Sequence, residues 1–76
     1  MIEFKAHYLT VARVARNLSQ TQLGDKIGVT SKQISKFETG RLFPKMQHFC
    51  KICEVLDVSP NFLLGLGSFS ELDNEK

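Results

Sequence analysis

One face of the short segment from residue 31 to residue 36 carries only hydroxyl and ammonium groups. Ile34 and Phe37, three residues apart, would lie together on the opposite face if the segment were helical. Hydroxyl and ammonium groups donate hydrogen bonds, and Lys32 and Lys36 are four residues apart, about one turn of a helix. Such a face is suited to contact with base edges and phosphates in a duplex groove. Its members are Ser31, Lys32, Ser35 and Lys36.

This polar segment follows another amphipathic segment across a short turn. Leu23 and Ile27 are four residues apart, the spacing of one helix face. Gly28 stands where that helix should stop, since glycine adopts the left-handed conformation without a steric penalty. Thr30 can then cap the next helix through its hydroxyl. The pattern predicts two short helices joined by a tight turn, a helix-turn-helix.

Amphipathic spacing elsewhere predicts three more helices, and no segment shows convincing strand alternation. Asn17 is expected to end the first helix in the left-handed conformation, and Pro44 is expected to open the fourth. Ser59 is expected to cap the fifth. The predicted fold class is all-α, with five helices over about residues 3–16, 20–27, 31–39, 45–56 and 60–65.

Length and composition limit the chain to one small domain. Its 76 residues, 42% of them hydrophobic, are enough for one modest core and too apolar for a disordered chain. No apolar run approaches the roughly 20 residues of a membrane span and no charged-then-apolar leader opens the sequence, so a cytoplasmic location is expected. We place the domain at residues 1–65. The acidic residues 66–76 form a tail, either frayed or folded into a short extra helix for dimer contacts.

Charge is distributed unevenly along the chain. Residues 1–51 contain nine Lys and Arg against three acids, a formal balance of +6, whereas residues 52–76 have a balance of −4. The alternative is a random scatter of charge of the kind found in many small soluble proteins. A concentration of cations favours an anionic partner for the first part of the chain and predicts binding that weakens as salt is added.

The same residues resemble a known family, the phage-repressor helix-turn-helix family of the Cro/cI or XRE type. The resemblance covers about residues 6 to 65 and is specific, because it couples the turn, the Glu-x-Gly ending of the third helix and the proline before the fourth in that order. It implies a compact five-helix, lambda-repressor-like DNA-binding domain in which helices two and three form the helix-turn-helix. The matching residues are Leu18-Ser19-Gln20, Leu23, Ile27-Gly28-Val29-Thr30, Ile34-Ser35-Lys36-Phe37-Glu38-Thr39-Gly40, Pro44, Ile52, Leu56 and Val58-Ser59.

Position by position, the resemblance implies a DNA-binding surface. Lysine donates to the acceptors of guanine and glutamine can pair bidentately with adenine, so guanine is expected among the contacted bases. For any single lysine the alternative is a phosphate contact alone, which gives affinity without sequence information. The implied base-contacting set is Ser31, Lys32, Gln33, Ser35 and Lys36. The implied phosphate-contacting set is Gln20, which would also support the recognition helix, Thr30, Arg41 and Lys45.

Three further predictions concern how this surface is held and paired. Arg13 lies on the inner face of the first helix, where a cation needs a partner, and the resemblance pairs it with Glu38; the alternative is that both side chains are solvated. Gly24 occupies a position that the family usually fills with alanine, at a close crossing of two helices. Apolar residues that remain once the core is assigned predict a dimer surface at Phe43, Val58, Pro60 and Leu64.

Catalytic and metal-binding interpretations have less support. Cys50 and Cys53 form a C-x-x-C, but both fall inside a predicted helix without a second ligand pair, so we expect a structural role rather than a zinc or redox site. His7 and His48 are expected to be surface or half-buried side chains. The sequence contains no Ser/His/Asp order, phosphate-cradling glycine loop or paired carboxylates. Enzymatic activity, a cofactor, a metal and a small-molecule ligand are therefore not expected.

The sequence predicts a sequence-specific transcriptional regulator, a dimeric repressor of bacterial or phage type that binds a palindromic operator in double-stranded DNA. A second hypothesis comes from a different class of protein. The same helical domain would then be a protein-interaction module, antitoxin-like or binding a transcription component, and DNA contact would be secondary.

Overall fold

Five α-helices follow one another along the chain in the computed structural model, which describes residues 2–72. No β-strand is present within these residues, which confirms the all-α prediction. A short 3₁₀ helix, Phe69–Leu72, follows the fifth α-helix. The α-helices are α1 Ala6–Ala15, α2 Gln20–Ile27, α3 Ser31–Glu38, α4 Met46–Leu56 and α5 Pro60–Leu63.

Capping and turn residues mark several helix boundaries where the sequence predicted them. Asn17 follows α1 with a φ of 61°, in the left-handed region that asparagine tolerates. The Ser19 hydroxyl caps α2 by accepting a hydrogen bond from the Gln22 N–H at 3.0 Å. Ser59 caps α5 in the same way, and Pro60 is the first helical residue.

Two helices begin later than the sequence predicted. α1 begins at Ala6 rather than near residue 3, because the Lys5 N–H donates to the Leu63 carbonyl oxygen at 2.7 Å and the chain before it is extended. α4 begins at Met46 with Lys45 as its N-cap residue, so Pro44 precedes the cap instead of opening the helix. Both corrections move the helix start by a few residues and leave the order of elements unchanged.

A single hydrophobic core lies where all five helices meet. Val58, which the sequence assigned to a dimer surface, is only 7% exposed and belongs to this core. The prediction for Val58 is therefore wrong. Its N–H donates to the Cys53 carbonyl oxygen at 3.1 Å, and this turn after α4 directs the valine inward. The core residues are Leu9, Ala12, Leu23, Ile27, Ile34, Phe37, Ile52, Cys53, Leu56, Val58, Phe62 and Leu63.

Residues 66–72 fold back onto α5 and the first turn of α1. The Phe69 ring lies 5.0 Å from the Tyr8 ring and 5.5 Å from the Phe62 ring. The Glu71 carboxylate accepts hydrogen bonds from the Ser59 N–H at 2.7 Å and from the Ser59 hydroxyl at 2.8 Å. The rest of the predicted tail, residues 73–76, lies outside the described residues.

Arg16 links this C-terminal segment to the end of α4. Its Nε donates to the Leu56 carbonyl oxygen at 2.7 Å, and its terminal nitrogens donate to the carbonyl oxygens of Asp57 and Glu71 at 3.2 and 3.1 Å. A cation near a helix C-terminus satisfies carbonyl groups that have no partner within the helix. Among residues 2–72, no helix has the length and apolar character needed to cross a membrane.

Candidate nucleic-acid interface

α3 turns its apolar residues into the core and its polar residues outward. Ile34 and Phe37 are 0% and 2% exposed, which fixes the rotation of the helix about its own axis. The opposite face is accessible over the length of the helix and contains no large apolar side chain. On that face Ser31, Lys32 and Lys36 are exposed, and Gln33 and Ser35 are half-buried.

The N-terminus of α3 is closed by a reciprocal pair of hydrogen bonds. The Thr30 hydroxyl oxygen accepts from the Gln33 N–H at 3.1 Å, and the Gln33 side-chain oxygen accepts from the Thr30 N–H at 3.2 Å. This capping box satisfies two N–H groups that have no carbonyl partner within the helix. Thr30 is a cap, as its position in the sequence predicted; the T-x-x-Q spacing also signals the role of Gln33, which was not predicted.

The turn between α2 and α3 depends on two glycines. Gly28 has a φ of 86°, the left-handed conformation that the sequence predicted. Gly24 lies where α2 meets the following backbone: a Cβ at this position would be 2.6 Å from the Val29 carbonyl oxygen. The turn therefore leaves no room for a side chain at residue 24, and it sets the angle at which α3 leaves α2.

A polar cluster fastens α3 to α1 and α2. Arg13 donates through Nε to Glu38 Oε2 at 2.5 Å and through a terminal nitrogen to Glu38 Oε1 at 3.2 Å, so the ion pair is bidentate. Another Arg13 nitrogen donates to the Leu18 carbonyl oxygen at 2.8 Å, and Gln20 Nε2 donates to Glu38 Oε1 at 3.1 Å. The side chains of Arg13 and Glu38 are 13% and 6% exposed, so the pair is largely removed from water. The structure thus brings together the two residues that the sequence paired and adds Gln20 to them.

The phosphate-contacting candidates surround α3. Gln20 is half-buried and uses one of its two amide hydrogens on Glu38, which leaves the other free to donate. Thr30 stands exposed at the N-terminus of α3, Arg41 lies in the loop after it, and Lys45 is the N-cap residue of α4. The three exposed side chains carry a hydroxyl, a guanidinium and an ammonium group, each of which donates to phosphate oxygens.

The electrostatics of this region are positive. Between residues 26 and 53 the one acid is Glu38, and its charge is neutralised by Arg13 at short distance. The cations of the same stretch have no such partner among the ion pairs of residues 2–72. The exposed cations are Lys26, Lys32, Lys36, Arg41, Lys45 and Lys51.

An apolar groove of about 430 Å³ lies between the N-terminal residues, the loop before α4 and the end of α5. Phe43 and Met46 project from it with 69% and 73% of their surface exposed, and Leu64 is half-buried at its wall. Of the predicted dimer residues, the groove contains Phe43 and Leu64; Pro60 is exposed elsewhere at the start of α5. The remaining lining residues, which were not predicted from the sequence, are Ile2, Glu3, Phe4, Pro44, Met46 and Phe49.

The two cysteines differ in their surroundings. Both are free thiols; Cys50 is exposed, whereas Cys53 is buried in the core. Burial raises the pKa of the Cys53 thiol to about 11, and the nearby Cys50, Glu71 and Glu54 add to the shift. Cys53 therefore stays protonated near neutral pH and behaves as a small apolar side chain. Within residues 2–72, no three His, Cys, Asp or Glu side chains are placed to hold a metal ion.

Comparisons with known proteins agree with this geometry. Residues 11–63 match the model of the helix-turn-helix family. The chain is 36% identical over 53 residues to the cryptic phage CTXphi transcriptional repressor RstR of Vibrio cholerae, which covers 70% of this chain and 47% of the relative. It is 31% identical over 65 residues to the SPbeta prophage-derived HTH-type transcriptional regulator YonR of Bacillus subtilis, covering 86% of this chain and 59% of the relative. The chain thus spans about half the length of these curated relatives.

A solved structure shares the fold. The P22 c2 repressor, determined in complex with a synthetic operator, superimposes with a TM-score of 0.78 over 86% of this chain and 98% of that one. The two sequences are 23% identical, so this likeness concerns the arrangement of helices.

Proposed function

The chain belongs to the helix-turn-helix family, and from that premise we propose that it is a sequence-specific regulator of transcription that inserts α3 into the major groove of double-stranded DNA. The observation that carries the proposal is the outward face of α3, with Ser31, Lys32 and Lys36 exposed above a fully buried inner face. In this family of folds the second helix of the motif reads base edges while neighbouring residues contact the backbone. The proposed activity is binding, in the cytoplasm, without a catalytic step.

Regulation by repression is the second part of the proposal. RstR, one of the relatives, is named a transcriptional repressor, and YonR a transcriptional regulator. A protein that occupies a promoter blocks polymerase by steric exclusion, which needs nothing beyond tight binding. We therefore propose that this chain acts as a repressor of phage type.

Binding as a symmetric pair is the third part. One helix of eight residues contacts only a few base pairs, so tight and selective binding calls for two copies on a palindrome with half-sites about 10 base pairs apart. The groove around Phe43 and Leu64 supports this, because Phe43 and its neighbour Met46 are apolar and mostly exposed. A second copy of the chain is the occupant we assign to it.

The central claim is tested by replacing Lys32 and Lys36 with alanine. An operator is first obtained by selecting bound oligonucleotides from a random pool, which also reports symmetry and spacing. Each base contact is worth about 1–3 kcal/mol, so the double variant should lose about 2–6 kcal/mol of operator binding. Fluorescence anisotropy with operator and scrambled duplexes measures the loss.

A double replacement of Lys26 and Lys51 removes the same charge from exposed positions outside α3. This control should weaken binding to operator and scrambled DNA about equally, leaving their ratio unchanged. If the Lys32 and Lys36 variant keeps the parent ratio, these two lysines do not read bases and the assignment of the recognition face is wrong. If that variant also retains an identified protein partner, the protein-interaction hypothesis replaces the present one.

A further inference from the structure

The capping box of α3 limits what Gln33 can recognise. We propose that Gln33 acts as a donor-only reader: its amide nitrogen contacts a hydrogen-bond acceptor on a base edge, and its amide oxygen stays on the helix cap. The proposal rests on the proposed function, since it assigns a specificity to one residue of the same surface. It replaces the bidentate adenine contact expected of a glutamine on a recognition helix.

The orientation of the Gln33 amide follows from the chemistry of its partner. The atom of Gln33 that faces the Thr30 backbone nitrogen, 3.2 Å away, must accept a hydrogen bond, because a backbone N–H can only donate. That atom is therefore the oxygen, and the NH₂ group is the part of the amide left over. This hydrogen bond also holds the end of the Gln33 side chain, which is half-buried, against the start of α3.

The Thr30 hydroxyl is likewise left mainly as a hydrogen-bond donor. Its hydroxyl oxygen already accepts from the Gln33 N–H at 3.1 Å, whereas its hydroxyl hydrogen is free to donate. The start of α3 consequently offers donors on both side chains of the box. Thr30 is suited to a phosphate oxygen, and Gln33 is suited to an acceptor on a base.

A side chain that offers only a donor should prefer bases that present an acceptor in the major groove. A bidentate contact with adenine needs the amide oxygen to accept from the adenine amino group while the nitrogen donates to N7. The proposal keeps this oxygen on the Thr30 N–H, so that the NH₂ group alone faces the base. A single donor instead matches the O6 and N7 acceptors of guanine or the O4 acceptor of thymine. Guanine or thymine is thus the base that Gln33 should select.

Replacement of Gln33 by glutamate separates the cap from the contact. A glutamate at this position still accepts from the Thr30 N–H, since glutamate also completes capping boxes, but it presents a second acceptor in place of the NH₂ group. Gln33→Glu should therefore fold as the parent does. At one position in each half-site its preference should change from guanine or thymine to a base with an amino group, above all cytosine, by about tenfold.

The equivalent box of α2 supplies a matched control. Ser19 and Gln22 form the same pair of hydrogen bonds, at 3.0 and 2.8 Å, at the start of α2. Gln22→Glu adds the same negative charge in the same local geometry and should weaken binding without changing any base preference. Gln33→Ala removes the acceptor of the Thr30 N–H and the NH₂ donor together, and it should speed hydrogen exchange of the Thr30 amide, whereas Gln33→Glu should not.

Selection of oligonucleotides from a random pool by the parent and the three variants decides the proposal. It is wrong if Gln33→Glu leaves every base preference unchanged, or if Gln22→Glu produces the same change. It is also wrong if the affected position is adenine and replacing that base by purine, which lacks the amino group, abolishes the preference. If the parent selects no sequence at all while scrambled DNA still binds, sequence-specific recognition fails as a whole and this assignment with it.

Discussion

Gly24 is the residue at which helix propensity and packing oppose each other most directly. Alanine would favour the α2 helix by about 1 kcal/mol, yet its Cβ would lie 2.6 Å from the Val29 carbonyl oxygen, a backbone atom that cannot move aside cheaply. Overpacking typically costs about 1–3 kcal/mol. We expect Gly24→Ala to destabilise the protein by about 1 kcal/mol net and to lower Tm by about 4–8 °C. Thermal unfolding followed by circular dichroism measures this.

The exposed Thr21 lies three residues earlier on the same helix and provides the comparison. Thr21→Ala gains helix propensity without meeting a neighbouring backbone, so it should leave Tm unchanged or raise it slightly. A Gly24→Ala variant that melts with or above Thr21→Ala would show that the turn can shift to admit a methyl group. The family resemblance, in which alanine is usual here, would then extend to the angle between α2 and α3.

Residues whose partners are close in sequence could be predicted from spacing and residue type, whereas the Arg13–Glu38 pair, 25 positions apart, needed the family resemblance as well. Ser19, Gly28 and Thr30 act within a few positions of themselves, so composition and spacing were enough to place both ends of the helix-turn-helix. Val58 was misassigned because its burial depends on how the turn after α4 meets the rest of the core. The sequence placed Gln33 among the base-contacting candidates, but only the hydrogen bond from the Thr30 N–H shows which end of its amide is free.

At the scale of elements, the Arg13–Glu38 pair determines how α1, α2 and α3 are joined. Glu38 accepts from Arg13 and from Gln20, so its removal leaves a nearly buried guanidinium without its counter-charge. Breaking one member of such a pair costs about 3–5 kcal/mol, a large share of the 5–15 kcal/mol by which small domains are stable. Glu38→Ala should accordingly lose about 3 kcal/mol or more in urea unfolding.

Two variants make that result interpretable. Glu38→Gln keeps an acceptor for the guanidinium but not the charge, so it should unfold at a urea concentration between those of the parent and of Glu38→Ala. Glu54→Ala removes an exposed carboxylate from α4 and should change stability by less than about 0.5 kcal/mol. Equal midpoints for Glu38→Ala and Glu54→Ala would mean that the ion pair contributes nothing to the joining of the three helices.

Helix starts illustrate why element boundaries were harder to predict than element order. The amphipathic stripe of α1 was visible in the sequence, but its first turn was overestimated because Lys5 pairs with Leu63, 58 positions away. The contacts of Glu71 with Ser59 and of Phe69 with Tyr8 are likewise distant in sequence. Such pairings carry no local signature, whereas the caps and the turn do.

Charge is distributed unevenly along the chain, and this bears on how two copies would meet on DNA. The exposed cations lie between residues 26 and 51, whereas the described acids beyond residue 51 are Glu54, Asp57 and Glu71. These exposed cations should steer the protein toward the phosphates, and its affinity for DNA should fall steeply with salt. Charge orients each copy on the DNA, and contact through the apolar groove would determine whether a second copy binds beside the first.

Phe43→Ser tests that role of the groove. Phe43 is 69% exposed and touches the protein mainly through an edge contact with the Phe4 ring at 6.2 Å, so its loss should lower stability by no more than about 1 kcal/mol. If two copies meet at the groove, the variant should remain monomeric in sedimentation equilibrium and bind a palindrome roughly 100-fold more weakly, while its affinity for an isolated half-site is unchanged.

Leu66→Ser, which alters an exposed apolar residue outside the groove, should behave as the parent. The groove is not the dimer interface if Phe43→Ser still forms a dimer, or if its affinities for the palindrome and for the half-site fall by the same factor. A surface that joins two copies must affect the binding of the pair more than the binding of one copy.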